Sequence, residues 1–167
     1  MYFAIFIAVL ALQRLSELWL ARRNAIWIQS QGGYEVGAEH YKWMVLMHVS
    51  WFLAMVGEYV FLKPELPALW SVWLGVFLLA QIGRYVVIAT LGKFWNTRIF
   101  VIPGAPKVEQ GIYRYVKHPN YWIVRIEIFV APMIFGLFIT AILFSVLNYA
   151  VLQVRIKTEE EALKMMH

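Results

Sequence analysis

The sequence predicts an all-α polytopic membrane protein. It reads as one domain over residues 1–167, with about five transmembrane helices, the last two forming a hairpin. Three observations carry this. Hydrophobic residues make up 62% of the chain and charged residues 15%, with a mean hydropathy of +0.63. No soluble domain of this length hides that much apolar surface. The apolar residues gather into stretches near the roughly 20 residues that cross a bilayer. The last stretch is too long for one crossing and is interrupted at Pro132 and Gly136.

The first stretch, Tyr2–Leu20, lacks a basic start and a small-residue cleavage site, so it reads as a retained helix and not a signal peptide. Gln13, Arg14 and Glu17 interrupt it. Arg14 and Glu17 share a helix face and are expected to point into the bundle, because polar groups facing lipid are costly. The stretches Trp43–Phe61 and Leu69–Leu91 are joined by Lys63-Pro64-Glu65-Leu66-Pro67, a connection short enough to make them an antiparallel pair. Within them, His48, Glu58, Gln81 and Arg84 could line an interior cavity, but inter-helix hydrogen bonding is the expected role. Residues 92–117 are too polar to span and carry Pro103, Gly104, Pro106 and Gly111, which predicts an irregular loop.

The final run, Tyr121–Val154, holds about 34 residues. As one helix it would be about 50 Å long, against a hydrocarbon core of about 30 Å. A hairpin of two spans, the first one short, resolves this. It also returns the end of the run to the side where the run began.

Charge asymmetry agrees. Five spans put Arg22, Arg23, Lys42, Lys93, Arg98, Lys107, Arg114, Lys117, Arg155, Lys157 and Lys164 on one side and Lys63 on the other. The positive-inside rule then places the N-terminus outside and the C-terminus in the cytoplasm. These cations flank apolar segments, so the net charge of +5 points to membrane anchoring and not to nucleic acid. The chain has no cysteine, which excludes disulfides, thiolate zinc sites and cysteine nucleophiles. Its four histidines show no paired metal-ligand spacing, and no phosphate-binding glycine loop or serine elbow appears, so no metal is expected.

The densest polar clusters flank the final run: Gly111-Ile-Tyr113-Arg-Tyr-Val-Lys-His118-Pro119-Asn120-Tyr121, and Arg155-Ile-Lys-Thr-Glu159-Glu160. Each alone has a bland explanation. Arg155 and Glu159, four residues apart, can form a helix-end ion pair. His118-Pro119 can be a helix start, and Tyr113 and Tyr121 interfacial aromatics. Only through the hairpin do the clusters converge on one site.

Together they resemble the His-Pro-x-Tyr … Arg-x-x-x-Glu-Glu signature of the isoprenylcysteine carboxyl methyltransferase family, membrane enzymes that use S-adenosylmethionine. The resemblance covers about residues 92–163. The stretch from Glu17 to Tyr41 resembles a compact bacterial branch of that family. The resemblance implies a cofactor-binding loop and C-terminal hairpin over 92–167, after N-terminal spans over 1–91. It implies cofactor contacts from backbone at Lys107 and Val108, and from Tyr113, His118, Pro119 and Asn120. Glu159 would pair with the methionine ammonium, and Arg155 would hold the reacting oxygen of the acceptor.

Two departures stand out. Ile123 occupies the position of a glycine common two residues after the motif tyrosine, so close packing there is expected to differ. The Phe-Gly … Tyr tail that follows Glu-Glu in the family is not found before His167, which turns the expectation away from a prenylcysteine substrate. The expected activity is therefore O-methylation, at the cytoplasmic face, of a lipophilic small molecule: an acidic enol or phenol on an alkyl chain, or a prenylcysteine-like carboxylate. A phospholipid N-methyltransferase and a non-catalytic membrane accessory protein are the alternatives.

Overall fold

The computed structural model describes residues 1–106 and 108–164. The chain is all-helical apart from one small ribbon: α1 (Tyr2–Ser30), β1 (Tyr34–Val36), α2 (Ala38–Leu62), α3 (Trp70–Leu91), β2 (Ile99–Val101), α4 (Pro119–Met133) and α5 (Phe138–Lys164). Among the described residues, four helices are long and apolar enough to cross a membrane: α1, α2, α3 and α5. The shorter α4 has 15 residues.

Burial follows helical periodicity. In α1 the buried positions are Phe3, Leu10, Glu17, Ala21, Asn24 and Ile28, one stripe of threes, fours and sevens. The stripe explains why α1 continues past Leu20, where the apolar run ends. The lipid-facing side turns polar at Arg22 and Arg23, but the inward side keeps its period to Ile28. Met47, Trp51 and Met55 of α2 and Phe77, Ala80, Arg84 and Val87 of α3 supply matching stripes. Helix α4 buries more than half of its residues and packs on both α3 and α5, leaving the face of Trp122 and Ile126 exposed. At the α3–α4 contact Ile123 lies against Gly83, where an added Cβ would sit 3.4 Å from the isoleucine. The glycine expected on α4 is thus found on the facing helix.

Three polar contacts fix the helices. Pro132 has no N–H, which leaves the Ile128 carbonyl without its usual helical donor; the Trp51 indole donates to that carbonyl at 3.2 Å. Glu58 accepts from the backbone N–H groups of Ile139 and Thr140 at 3.1 and 2.7 Å, capping α5 from α2. Beyond Met133 the chain turns through Ile134–Leu137, with Gly136 at φ 70°, and starts α5 at once.

The third contact is a network of buried charges between α1, α3 and α4. Arg14 donates to Glu17 and to Glu127, both at 2.7 Å. Arg84 donates to Glu127 through Nε at 2.8 Å and again through Nη2, and to Glu17 at 3.3 Å. Gln81 donates to Glu127 at 2.7 Å and accepts from Gln13. Two guanidinium groups face two carboxylates, so the cluster is neutral. This meets the expectation for Arg14 and Glu17 and assigns Gln81 and Arg84 to helix–helix bonding. His48 bonds its own helix backbone at Met44, and Glu58 is a cap.

Residues 92–117 are more structured than expected. Asn24 holds the Trp95 carbonyl at 2.7 Å, and Asn96 holds that of Ala21 at 2.8 Å. β2 then pairs antiparallel with β1, Tyr34 opposite Val101 and Val36 opposite Ile99. Three-residue strands carry too little period-two pattern to show in a sequence. The ribbon is seated on α5: a Cβ on Gly37, at φ 68°, would come within 2.7 Å of the Thr158 side chain.

Candidate functional site

Pro119 opens α4 at its first turn, where a missing N–H costs nothing, and His118 stands just before it. The turn after Pro132 sends α5 back along α4, so Arg155, Glu159 and Glu160 come level with His118 and Tyr121. His118 Nε2 lies 3.2 Å from Glu160 Oε1, and His118 Nδ1 lies 3.8 Å from Glu159 Oε2. The His118 and Tyr121 rings stack with centroids 5.5 Å apart.

Arg155 and Glu159 do not meet directly. The buried Tyr121 hydroxyl stands between them, accepting from Arg155 Nε at 2.9 Å and donating to a Glu159 carboxylate oxygen. Arg155 Nη2 donates to the Thr97 carbonyl at 2.6 Å. Its Nη1 reaches only the thioether of Met44, at 3.6 Å, among the described residues. One edge of the guanidinium is therefore open to a stronger acceptor. The Thr97 contact is prepared by the loop, where Tyr41 Oη lies 3.3 Å from Thr97 Oγ1 and Arg98 pairs with Glu35 at 3.0 Å.

Three cavities share this arginine: one, about 270 Å³ and lined by Met44, Val151, Val154 and Thr158, opens between α2 and α5, and two others also touch motif residues of α4. The first of these two, about 110 Å³, is of mixed character, lined by Tyr113, His118, Asn120, Tyr121, Arg155 and Glu159 together with Leu91, Phe94, Trp95, Asn96 and β2. The second, about 340 Å³, is mostly apolar and lies between α1 and α2, walled by Leu15, Leu18, Val45, Val49, Phe52 and Val124. Asn120, Tyr121 and Arg155 line both. At the boundary, Asn120 Oδ1 and Trp95 Nε1 are buried with no hydrogen-bond partner. Buried polar atoms are rarely left so, which marks the boundary as a place for a polar ligand. Burial, and then the Glu159 carboxylate, push the Tyr113 phenol above its ordinary pKa, so it stays a neutral donor.

Of the residues singled out in the sequence, Tyr113, His118, Asn120, Glu159 and Arg155 thus share one cavity, and Pro119 opens the helix that carries Asn120 and starts just after His118. Val108 is not among the described lining residues, and Lys107 lies outside the described residues. The sequence reading missed Thr97, Met44 and the bridging role of Tyr121. Tyr121 stood in the motif, but nothing in the spacing indicates that its hydroxyl joins the two acid–base positions.

The membrane-length helices, and the mixed and apolar cavities that adjoin at Arg155, define a membrane protein with a candidate site where polar and apolar surroundings meet. Residues 73–165 match the model of the isoprenylcysteine carboxyl methyltransferase (ICMT) family, and the chain belongs to that family. Membership points to a membrane methyltransferase. The chain is 41% identical over 165 residues to "Uncharacterized protein YpbQ" of Bacillus subtilis (strain 168), covering 97% of this chain and 96% of that one. It is 24% identical over 164 residues to an "Uncharacterized protein" of Haemophilus influenzae (strain ATCC 51907 / DSM 11121 / KW20 / Rd), covering 95% and 92%. No solved structure matches the chain. The family match begins in α3, so the walls that α1 and α2 give the apolar cavity lie outside it.

Proposed function

We propose that this chain is an S-adenosylmethionine-dependent O-methyltransferase acting on a lipophilic small molecule. The observation that carries the reading is the Arg155–Tyr121–Glu159 chain of hydrogen bonds, standing where a mixed and an apolar cavity meet. The residues fit the cofactor. Glu159 has no lysine or arginine partner among the described residues, and Asn120 Oδ1 is a buried acceptor without a donor. An α-ammonium group supplies what both lack.

Glu159 would hold the methionine ammonium, with Tyr113, His118, Pro119 and Asn120 around it and backbone contacts at Lys107 and Val108. When bound, the cofactor supplies an electrophilic methyl group on a sulfonium. Arg155 holds the acceptor oxygen in its ionised form through the open Nη1 edge, while Tyr121 and Thr97 keep the guanidinium from turning away. A carboxylate, or an enol or phenol acidic enough to be partly ionised near neutral pH, needs no general base there. The apolar walls of α1 and α2 take the alkyl chain and keep water from the reacting oxygen. Such an acceptor reaches the site from the bilayer. An alkyl enol or phenol is favoured over a prenylcysteine carboxylate.

In the membrane, α4 acts as the short fifth span and forms the hairpin with α5, with the N-terminus outside and the site facing the cytoplasm. Cysteines introduced at positions 63 and 157 of this cysteine-free chain then label from opposite sides; labelling of both from outside contradicts the topology.

The function is tested by offering labelled S-adenosylmethionine, with purified protein, to alkyl enols, alkylphenols, prenylcysteine analogues and phosphatidylethanolamine. Label in the oxygen acceptors is expected. Label in the phospholipid nitrogen alone overturns the O-methyltransferase reading, and no transfer with no cofactor binding overturns an enzymatic role.

A further inference from the structure

Arg125 is a second cation of α4 that the site does not use. It lies six residues beyond Pro119, about 9 Å into the helix. Its guanidinium is centred 5.0 Å from the Trp122 ring and 5.6 Å from the Tyr149 ring of α5. Side chains lean toward the start of their helix, and Trp122 is one turn nearer that start. Arg125 therefore reaches back toward the end of the bundle where the candidate site opens. Trp122 and Tyr149 are both 57% exposed, on a face with no protein neighbour to cover it.

Among the described residues, no carboxylate serves this arginine. Glu127 faces the opposite way and is held by Arg14, Arg84 and Gln81. On α5, Glu159 is bound by Tyr121, and Glu160 by His118. Arg125 forms no ion pair among the described residues, and its Nε is buried between the rings without an acceptor. An arginine on a membrane-facing surface, shielded on its inner side and unpaired on its outer side, calls for an anion from the bilayer itself. The two aromatic rings already carry the guanidinium, and no acid stands nearby for a choline or ethanolamine ammonium. A headgroup with net negative charge fits best.

We propose that Trp122, Arg125 and Tyr149 form a binding site for the phosphate of an anionic phospholipid. The phosphate accepts from the outer guanidinium nitrogens, Trp122 and Tyr149 fix the guanidinium plane, and the acyl chains run down the α4–α5 surface. The site does not depend on the methyltransferase reading.

Native mass spectrometry of the purified protein in detergent, with equal amounts of phosphatidylglycerol and phosphatidylcholine, tests it. The wild type is expected to retain one phosphatidylglycerol under activation that strips phosphatidylcholine. Arg125→Met is expected to lower that preference about tenfold, with Arg125→Lys in between, because it keeps the charge but not the planar fork. Tyr149→Leu, an exposed change, supplies a second reading if Arg125→Met does not fold, with a loss of about threefold expected. S-adenosylhomocysteine affinity should be the same in all of them. Equal retention of the two lipids by the wild type overturns the site, as does an undiminished preference in Arg125→Met, or in Tyr149→Leu where Arg125→Met does not fold. Displacement of the lipid by millimolar glycerol phosphate would make it a free-phosphate site and overturn the lipid assignment.

Discussion

Two clusters of charged side chains sit on α4, less than three turns apart, and they are built to opposite ends. Around Glu127, every charge has its opposite: two arginines, two glutamates and two glutamines bond one another across α1, α3 and α4. Around Tyr121 the partners do not close. Glu159 has a hydroxyl but no lysine or arginine among the described residues, Arg155 has an edge left over, and Asn120 and Trp95 each keep a buried atom unbonded. The first cluster closes its charges, leaving only Arg14 Nε unbonded, whereas in the second Glu159 has no lysine or arginine among the described residues. Buried charge alone therefore does not mark a site; what marks it is charge left unpaired.

Mutations should separate the two clusters. The largest effect is expected at Arg84→Met. Its side chain and that of Glu127 are each 3% exposed, and removing one member of a buried pair costs about 3–5 kcal/mol. Thermal unfolding in detergent should show a large drop in stability; an unchanged melting temperature would mean the network is not a clamp. Next comes Arg155→Ala. Turnover should fall at least about 100-fold, or about 2.7 kcal/mol, while the melting temperature and S-adenosylhomocysteine affinity change little. A parallel loss of all three would make Arg155 a structural residue.

Glu159→Gln should weaken S-adenosylhomocysteine binding by about tenfold or more, since a charge-assisted contact is worth about 1.5–3 kcal/mol. Glu160→Gln, which touches His118 from the far side, should cost less than about threefold. Tyr121→Phe keeps the ring against His118 and Arg155 and removes only the hydroxyl bridge. Both partners of that hydroxyl are charged groups, and a hydrogen bond to a charged group is worth about 1.5–3 kcal/mol. The loss should appear chiefly as a raised KM for the lipophilic acceptor, because Arg155 loses one of its two anchors. An unchanged KM would show that the bridge does not position the arginine.

The same contrast explains what the sequence made legible. Apolar runs located α2 and α3 within a few residues, because burial there follows composition. The end of α1 was missed by ten residues, because past Leu20 only the inward stripe of Ala21, Asn24 and Ile28 still shows the helix. The ribbon of β1 and β2 was missed because three-residue strands rely on partners distant in sequence. Glu58 makes the inter-helix bonding expected of it, through the first backbone N–H groups of α5, whereas His48, expected to do the same, bonds Met44 of its own helix. At the site, motif residues were legible and their linkage was not. Arg155 and Glu159 are four apart and share a helix face on which they could pair; Tyr121, distant in sequence, intervenes. The apolar cavity was the least legible part, since most of its walls are ordinary lipid-compatible residues of α1 and α2, joined by Arg14, Glu17, His48 and Arg84.

The central claim is that the open cluster, and not the closed one, holds the methyl donor. Titration of S-adenosylhomocysteine into purified wild-type protein, Glu159→Gln and Glu160→Gln tests it most directly. The account predicts saturable one-site binding in the wild type, at least tenfold weaker in Glu159→Gln and nearly unchanged in Glu160→Gln. Wild-type affinity in Glu159→Gln, or no binding to the wild type at all, would contradict it.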